Sequence, residues 1–118
     1  MFKPPELPPY VEQVFDVVDL IPPGRVMAYG DIAEALGRGG PRQVGTALAK
    51  YGGAVAWWRV IKSDGGFLAG HEREALARYR EEGTPLRNDA TRVDMARARW
   101  FPEEADLAAL RPPEEPVD

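Results

Sequence analysis

Residues 31–50 read DIAEALGRGGPRQVGTALAK, and the way this stretch divides decides the fold. Ile32, Ala33, Ala35 and Leu36 give a short helix an apolar face, and Gly37 suits its end, because glycine takes the left-handed C-cap conformation without a Cβ penalty. Gly39-Gly40 make a tight turn. Pro41 then falls in the first turn of a second helix, where its missing N–H breaks no intrahelical bond. At about 100° per residue, Val44, Ala47 and Leu48 share one face of that helix. Arg42, Thr46 and Ala49 share the opposite face, with Gly45 on its flank. Two short helices across a glycine-bearing turn are a helix-turn-helix signature. The outward face is unusual: one long cation, then only small residues, where a surface helix normally carries Glu, Lys or Gln. Small residues let another surface, such as a nucleic-acid groove, come close.

Upstream, Val11, Val14, Phe15, Val18, Leu20 and Ile21 recur at helical spacing and predict a helix over residues 9–20, stopped by Pro22-Pro23-Gly24. Pro4, Pro5, Pro8 and Pro9 make residues 1–8 an extended leader. Residues 25–28 read as a short extended link. Downstream, Tyr51-Gly52-Gly53 ends the second helix of the pair. Residues 54–61, AVAWWRVI, are the most apolar stretch and read as a strand; Lys62 to Gly66 turn, and Phe67-Leu68 return, giving a small β hairpin or wing. A further helix is expected over 72–82, with Ala75, Leu76 and Tyr79 inward and Gly83 as cap. Residues 84–94 read as irregular, with a short strand near Arg92-Val93, and 96–100 as a last helical turn. Residues 101–118 are set apart as a Pro/Glu-rich tail, disordered over 112–118. The expected fold is therefore mainly α with a small β hairpin, a winged-helix-like helix-turn-helix domain over residues 9–100.

Composition narrows the chemistry. The chain has 118 residues, enough for one core, and no apolar run of the roughly eighteen residues that a membrane helix needs. Its start, MFKPPELPPY, lacks the pattern of a secretory signal, so a soluble cytoplasmic protein is expected. With no cysteine there is no disulfide, no thiolate metal site and no thiol nucleophile; the single histidine, His71, reads as a helix cap or surface residue and cannot make a His-rich metal site. No metal and no cofactor are implied. The net charge of −4 is the wrong sign for a general nucleic-acid binder, but it is unevenly spread. Residues 1–21 set one cation against four anions, 22–62 set six cations against two anions, and 63–118 set eight against thirteen. The helix-turn-helix thus sits in a basic middle between acidic ends, and phosphate contacts follow local potential.

Four segments in order resemble one family. IPPGRVMAYGDIA, residues 21–33, is similar to the "IPxGxVxTYGxIA" opening of the DNA-binding domain of O6-alkylguanine-DNA alkyltransferases. PRQVGTAL, residues 41–48, resembles that family's "xRxVGxAL" recognition helix. AWWRVI, residues 56–61, stands where the family has its active-site "PCHRVV", and Ser63-Asp64-Gly65 and Glu81-Glu82-Gly83 match the flanking "SxG" and "xEG". The likeness spans residues 9–84. The departures matter as much: the alkyl-accepting cysteine is Trp57 here, and the histidine that helps activate it is Trp58. An indole is not a nucleophile at neutral pH, whereas a thiolate is. The pattern resembles the alkyltransferase-like proteins, which keep the damage-binding parts with tryptophan at the cysteine position. Ala56 replaces the usual proline, and the connection between recognition helix and active-site segment is shorter than the family's.

The resemblance implies a DNA-damage sensor that binds O6-alkylguanine in duplex DNA by nucleotide flipping, transfers nothing, and directs the lesion to nucleotide excision repair proteins of the UvrA type, working as a monomer. It implies that Arg42 enters the base stack from the minor groove, that Tyr29 crowds the phosphate and promotes rotation, and that Gly45, Thr46 and Ala49 let the helix approach. The lesion pocket implied is Trp57, Trp58, Arg59, Val55 and Tyr51, with Trp57 as its wall. Plainer roles stand beside these: Arg42 solvated, Tyr29 packed at a helix start, Trp58 packing the core, Arg59 holding local backbone or Glu82, and the Arg97, Arg99, Trp100 cluster a solvated turn rather than a closure. Without the histidine, the relay role of Glu82 lapses. Two other functions fit the same motifs. A transcription regulator would carry polar base-reading side chains along the recognition helix, which Gly45, Thr46 and Ala49 do not supply. A transferase with a non-cysteine acceptor would show stoichiometric alkyl uptake.

Overall fold

The computed structural model describes residues 7–87 and 89–110. Helix α1 (Pro9–Leu20) opens on a proline at its first position and ends where Ile21 turns extended ahead of the proline pair. Strand β1 (Met27–Ala28) leads directly into α2 (Tyr29–Leu36) and, across the Gly37–Gly40 turn, into α3 (Pro41–Tyr51). Gly37 has φ 71° and its N–H bonds back to Ala33 and Glu34, the left-handed cap expected of it. After two single 3-10 turns (Gly52–Ala54 and Trp57–Arg59) come β2 (Val60–Ile61), α4 (Glu72–Glu82), α5 (Met95–Ala98) and α6 (Glu104–Leu110). This is the helical helix-turn-helix architecture expected from residues 31–50.

The small sheet departs from expectation. Its strands are parallel, Met27 opposite Val60 and Ala28 opposite Ile61, so it is not a hairpin. Phe67 is buried instead in the core under α4, and the residue before it, Gly66, makes only an isolated bridge to Arg92. Residues 54–61 do not run as one strand because Trp57–Arg59 wind into a 3-10 turn, held from outside by α4.

The two-residue ladder separates two cores. Successive side chains of a strand point to opposite faces. Met27 and Val60 join Val11, Val14, Val18, Ile32 and Val44 between α1, α2 and α3. Val26 and Ile61 join Phe67, Ala75, Tyr79, Val93 and Ala98 beneath α4 and α5. Each fully buried aliphatic side chain contributes about 1.5–3 kcal/mol. On the far side of β1, Val26 accepts from the Trp100 N–H and donates to the Ala98 carbonyl, tying the segment after α5 to the ladder. Arg99 there pairs with Asp31 at the start of α2: Nε donates to Oδ2 at 2.9 Å while the Ala28 N–H donates to the same oxygen. Burial alone would raise the Asp31 pKa, but these donors and the Arg99 charge hold it below the usual carboxylate range.

The chain past residue 100, set apart above as a tail, continues as α6, whose Leu107 and Leu110 pack against α1. The stretch 112–118 lies outside the described residues, as do residues 1–6 of the leader. Among the described residues no helix is long and apolar enough to cross a membrane, and no cluster of His, Cys, Asp and Glu could hold a metal ion.

Candidate nucleic-acid interface

Helix α3 owes its orientation to Val44 and Ala47, both buried against α1 and α2. That leaves Arg42, Thr46, Ala49 and Lys50 exposed on the outer side, with Gly45 at its edge. Among the described residues no carboxylate pairs with Arg42. A Cβ built on Gly45 meets nothing within 4 Å. The core therefore does not require glycine there, and glycine costs a helix roughly 1 kcal/mol against alanine.

Beside this face lies a cleft of about 270 Å³. Tyr29 closes one end from α2, Gly45, Leu48 and Ala49 give the α3 wall, and Gly52, Gly53 and Trp57 give the floor after it. Leu68, His71 and Glu74, from the loop before α4 and its first turn, form the opposite wall. Gly52 belongs here for a steric reason: a Cβ would sit 3.3 Å from Leu48 Cδ2 and 3.8 Å from the Trp57 Cβ. The cleft lies just below the size range of pockets for drug-sized ligands, about 300 Å³ and upward, and suits a single flat ring system. Its aromatic corner is Trp57 against His71, with ring centroids 5.7 Å apart and planes at 63°. Burial raises the Tyr29 pKa, so its hydroxyl stays protonated as a donor at neutral pH.

Behind Trp57 the backbone is fixed by a knot around Glu82. Its carboxylate accepts from the Trp58 Nε1–H at 2.9 Å, from Arg59 Nε and Nη2 at 3.1 and 2.8 Å, and from the Gly24 N–H at 3.1 Å. Arg59 Nη1 also donates to the Ile21 carbonyl, and the Tyr79 hydroxyl to the Trp58 carbonyl at 2.6 Å. Burial pushes the Glu82 pKa up, but the bonds from Arg59, Trp58 and Gly24 outweigh it and leave the carboxyl ionised below its usual value. Trp58 stands edge-on to Trp57, with the Arg78 guanidinium over its ring at 4.6 Å.

The structure thus brings Tyr29, Gly45, Ala49 and Trp57 to one cleft. Arg42 and Thr46 line a separate shallow groove on the other flank of α3, and Tyr51 lies there rather than in the cleft. Val55 packs against the α1–α3 core, and Trp58 and Arg59 stand behind the cleft floor, so of the five residues read as pocket only Trp57 lines it. Leu48, Leu68, His71 and Glu74 are lining residues that the sequence reading missed. Of the remaining cluster, Arg99 is taken up by Asp31 and Trp100 packs against the first core.

Comparison with known proteins is consistent across sequence and structure. Residues 9–84 match the family described as 6-O-methylguanine DNA methyltransferase, DNA binding domain. A "DNA base-flipping protein" of Vibrio parahaemolyticus serotype O3:K6 is 33% identical over 98 residues, covering 79% of this chain and 97% of that one. The crystal structure of S. pombe Atl1 in complex with damaged DNA containing O6-carboxymethylguanine is similar with a TM-score of 0.68 at 30% identity, over 79% of this chain and 95% of that one. A second, of S. pombe ATL in complex with DNA, gives 0.67 at 32% over the same shares.

Proposed function

Since this chain belongs to the family of the 6-O-methylguanine DNA methyltransferase DNA-binding domain, as an alkyltransferase-like member, we propose that it is a DNA-damage sensor. It binds O6-alkylguanine in duplex DNA, swings the nucleotide out of the stack and leaves it chemically unchanged. The observation that carries this reading is Trp57 in the floor of a base-sized cleft in a chain without cysteine. An aromatic face can stack on an extruded base, and it offers no lone pair able to displace an alkyl group.

Each part has a physical task. Helix α3 enters the minor groove by its small outer face, where few base-specific contacts are available and sequence matters little. Extruding a nucleotide costs a few kcal/mol, less for a damaged pair. Arg42, without a carboxylate partner among the described residues and about one helical turn from Gly45, fills the space the base leaves, while Tyr29 stands at the cleft end to turn the phosphate. The base passes Gly45 into the cleft and stacks on Trp57. The knot around Glu82 keeps that indole in place. The complex then directs the lesion to nucleotide excision repair proteins of the UvrA type. The sensor acts as a monomer in the cytoplasm.

The test is a titration of the protein against one duplex carrying O6-methylguanine or guanine at the same position, with the protein mass measured afterwards. The reading expects tighter binding to the lesion and an unchanged mass. Equal affinities would overturn the sensor, and a gain of one methyl group per chain would overturn the absence of transfer.

A further inference from the structure

The cleft wall opposite α3 carries polar chemistry that stacking does not use. His71 Nδ1 and Glu74 Oε2 lie 3.9 Å apart, too far for a hydrogen bond between them, and both side chains are more than half exposed, at 56% and 60%. Both line the cleft, and the His71 ring meets Trp57 at 63°. A flat base lying on Trp57 therefore turns its edge, not its face, toward His71 and the neighbouring carboxylate. The wall then offers that edge one donor, since an adjacent carboxylate favours the imidazole tautomer with its proton on Nδ1, and one acceptor beside it.

Resting on the sensor reading above, we propose that His71 and Glu74 read the Watson–Crick edge of the extruded base and select guanine alkylated at O6. In unmodified guanine N1 carries a proton, and a donor facing the His71 Nδ1–H finds no partner. Alkylation at O6 fixes the ring in the form in which N1 has a lone pair. The edge then presents an acceptor at N1 next to a donor at the 2-amino group. His71 Nδ1–H donates to N1, and the 2-amino group donates to Glu74 Oε2. The pair thus senses the chemical change that every O6 substituent makes, whatever its size, while the substituent itself can lie toward the open side. A donor that meets N1–H instead of a lone pair gains no hydrogen bond, so the unmodified base is held less tightly than the alkylated one.

The experiment compares three duplexes that differ at one position: O6-methylguanine, guanine, and O6-methylhypoxanthine, which lacks only the 2-amino group. The wild-type chain binds O6-methylguanine best, about tenfold more tightly than O6-methylhypoxanthine, the loss of one hydrogen bond to a charged group. Glu74→Ala loses about that factor on O6-methylguanine, none on O6-methylhypoxanthine, and no longer separates the two. His71→Phe keeps a ring against Trp57 but deletes the donor, and narrows the gap between O6-methylguanine and guanine. Both positions are exposed, and thermal unfolding of each variant reports that it folds. A Glu74→Ala variant that keeps the wild-type ratio overturns the edge reading while leaving the sensor intact. A wild-type chain that does not separate O6-methylguanine from guanine overturns both.

Discussion

Trp58 Nε1 donates to Glu82 Oε2 at 2.9 Å across 24 residues of sequence. In the related transferases the matching position is the histidine that works with a glutamate to activate sulfur. Here the carboxylate remains and is fully occupied by donors, so an arrangement suited to proton transfer has become a clamp on the cleft floor.

Glu82→Ala should therefore act on stability first. It leaves the Arg59 guanidinium, whose side chain is 16% exposed, without its ion pair, and strips acceptors from the Trp58 and Gly24 N–H groups. Breaking such a pair from one side costs about 3 kcal/mol. Trp58→Phe removes a single bond and should cost about 1 kcal/mol plus lost packing. Urea denaturation with a common slope checks the order; equal and small losses for both would show that the knot is slack.

Acid should destabilise the fold through two carboxylates. Asp31, paired with Arg99, and Glu82 both titrate below their usual values in the folded chain. The unfolded chain titrates them near about 4. Their contribution is complete above that pH and is lost as pH falls through the lower, folded values, because the unfolded state then binds more protons. Denaturation midpoints should fall as the pH drops from about 5 to about 2, and Asp31→Asn should flatten the fall. A midpoint constant over that range would contradict these two roles.

Gly45→Ala should separate folding from binding. A Cβ there meets nothing within 4 Å, so the variant gains up to roughly 1 kcal/mol of stability from helix propensity. The same methyl stands on the face that approaches DNA and at the cleft edge, so affinity for a lesion duplex should drop. A higher melting temperature with unchanged affinity would show that α3 does not come close to the groove.

How much of this was legible in sequence follows from the range of the interactions. The bounds of α1 and α4 and the cap at Gly83 are local, set by apolar spacing, prolines and a glycine, and could be read directly. The pairing of Met27–Ala28 with Val60–Ile61 links two-residue strands far apart in sequence, which no local pattern announces, so in sequence the apolar run reads as half of a hairpin. Leu68 and His71 reach the cleft only because α4 docks beside Trp57; their own neighbours read as loop. Residues 104–110 form α6 through Leu107 and Leu110 on α1, contacts that Pro/Glu-rich composition concealed.

Arg42→Ala should leave the unfolding free energy within about 0.5 kcal/mol of wild type, since the side chain is exposed and no carboxylate among the described residues pairs with it. Its effect should fall on lesion binding, with an affinity loss of about tenfold or more, because the flipped state loses what fills the gap in the stack. If the loss were equal on lesion and plain duplex, with a salt slope lower by about one, Arg42 would be a phosphate contact only.

The most direct measurement is a crystal structure of the chain with a duplex containing O6-methylguanine. The account predicts the modified base outside the helix, lying on the Trp57 indole between α3 and the His71 wall, its methyl group intact and Arg42 in the stack. The same base paired inside an undisturbed duplex, with Trp57 far from it, would contradict the account.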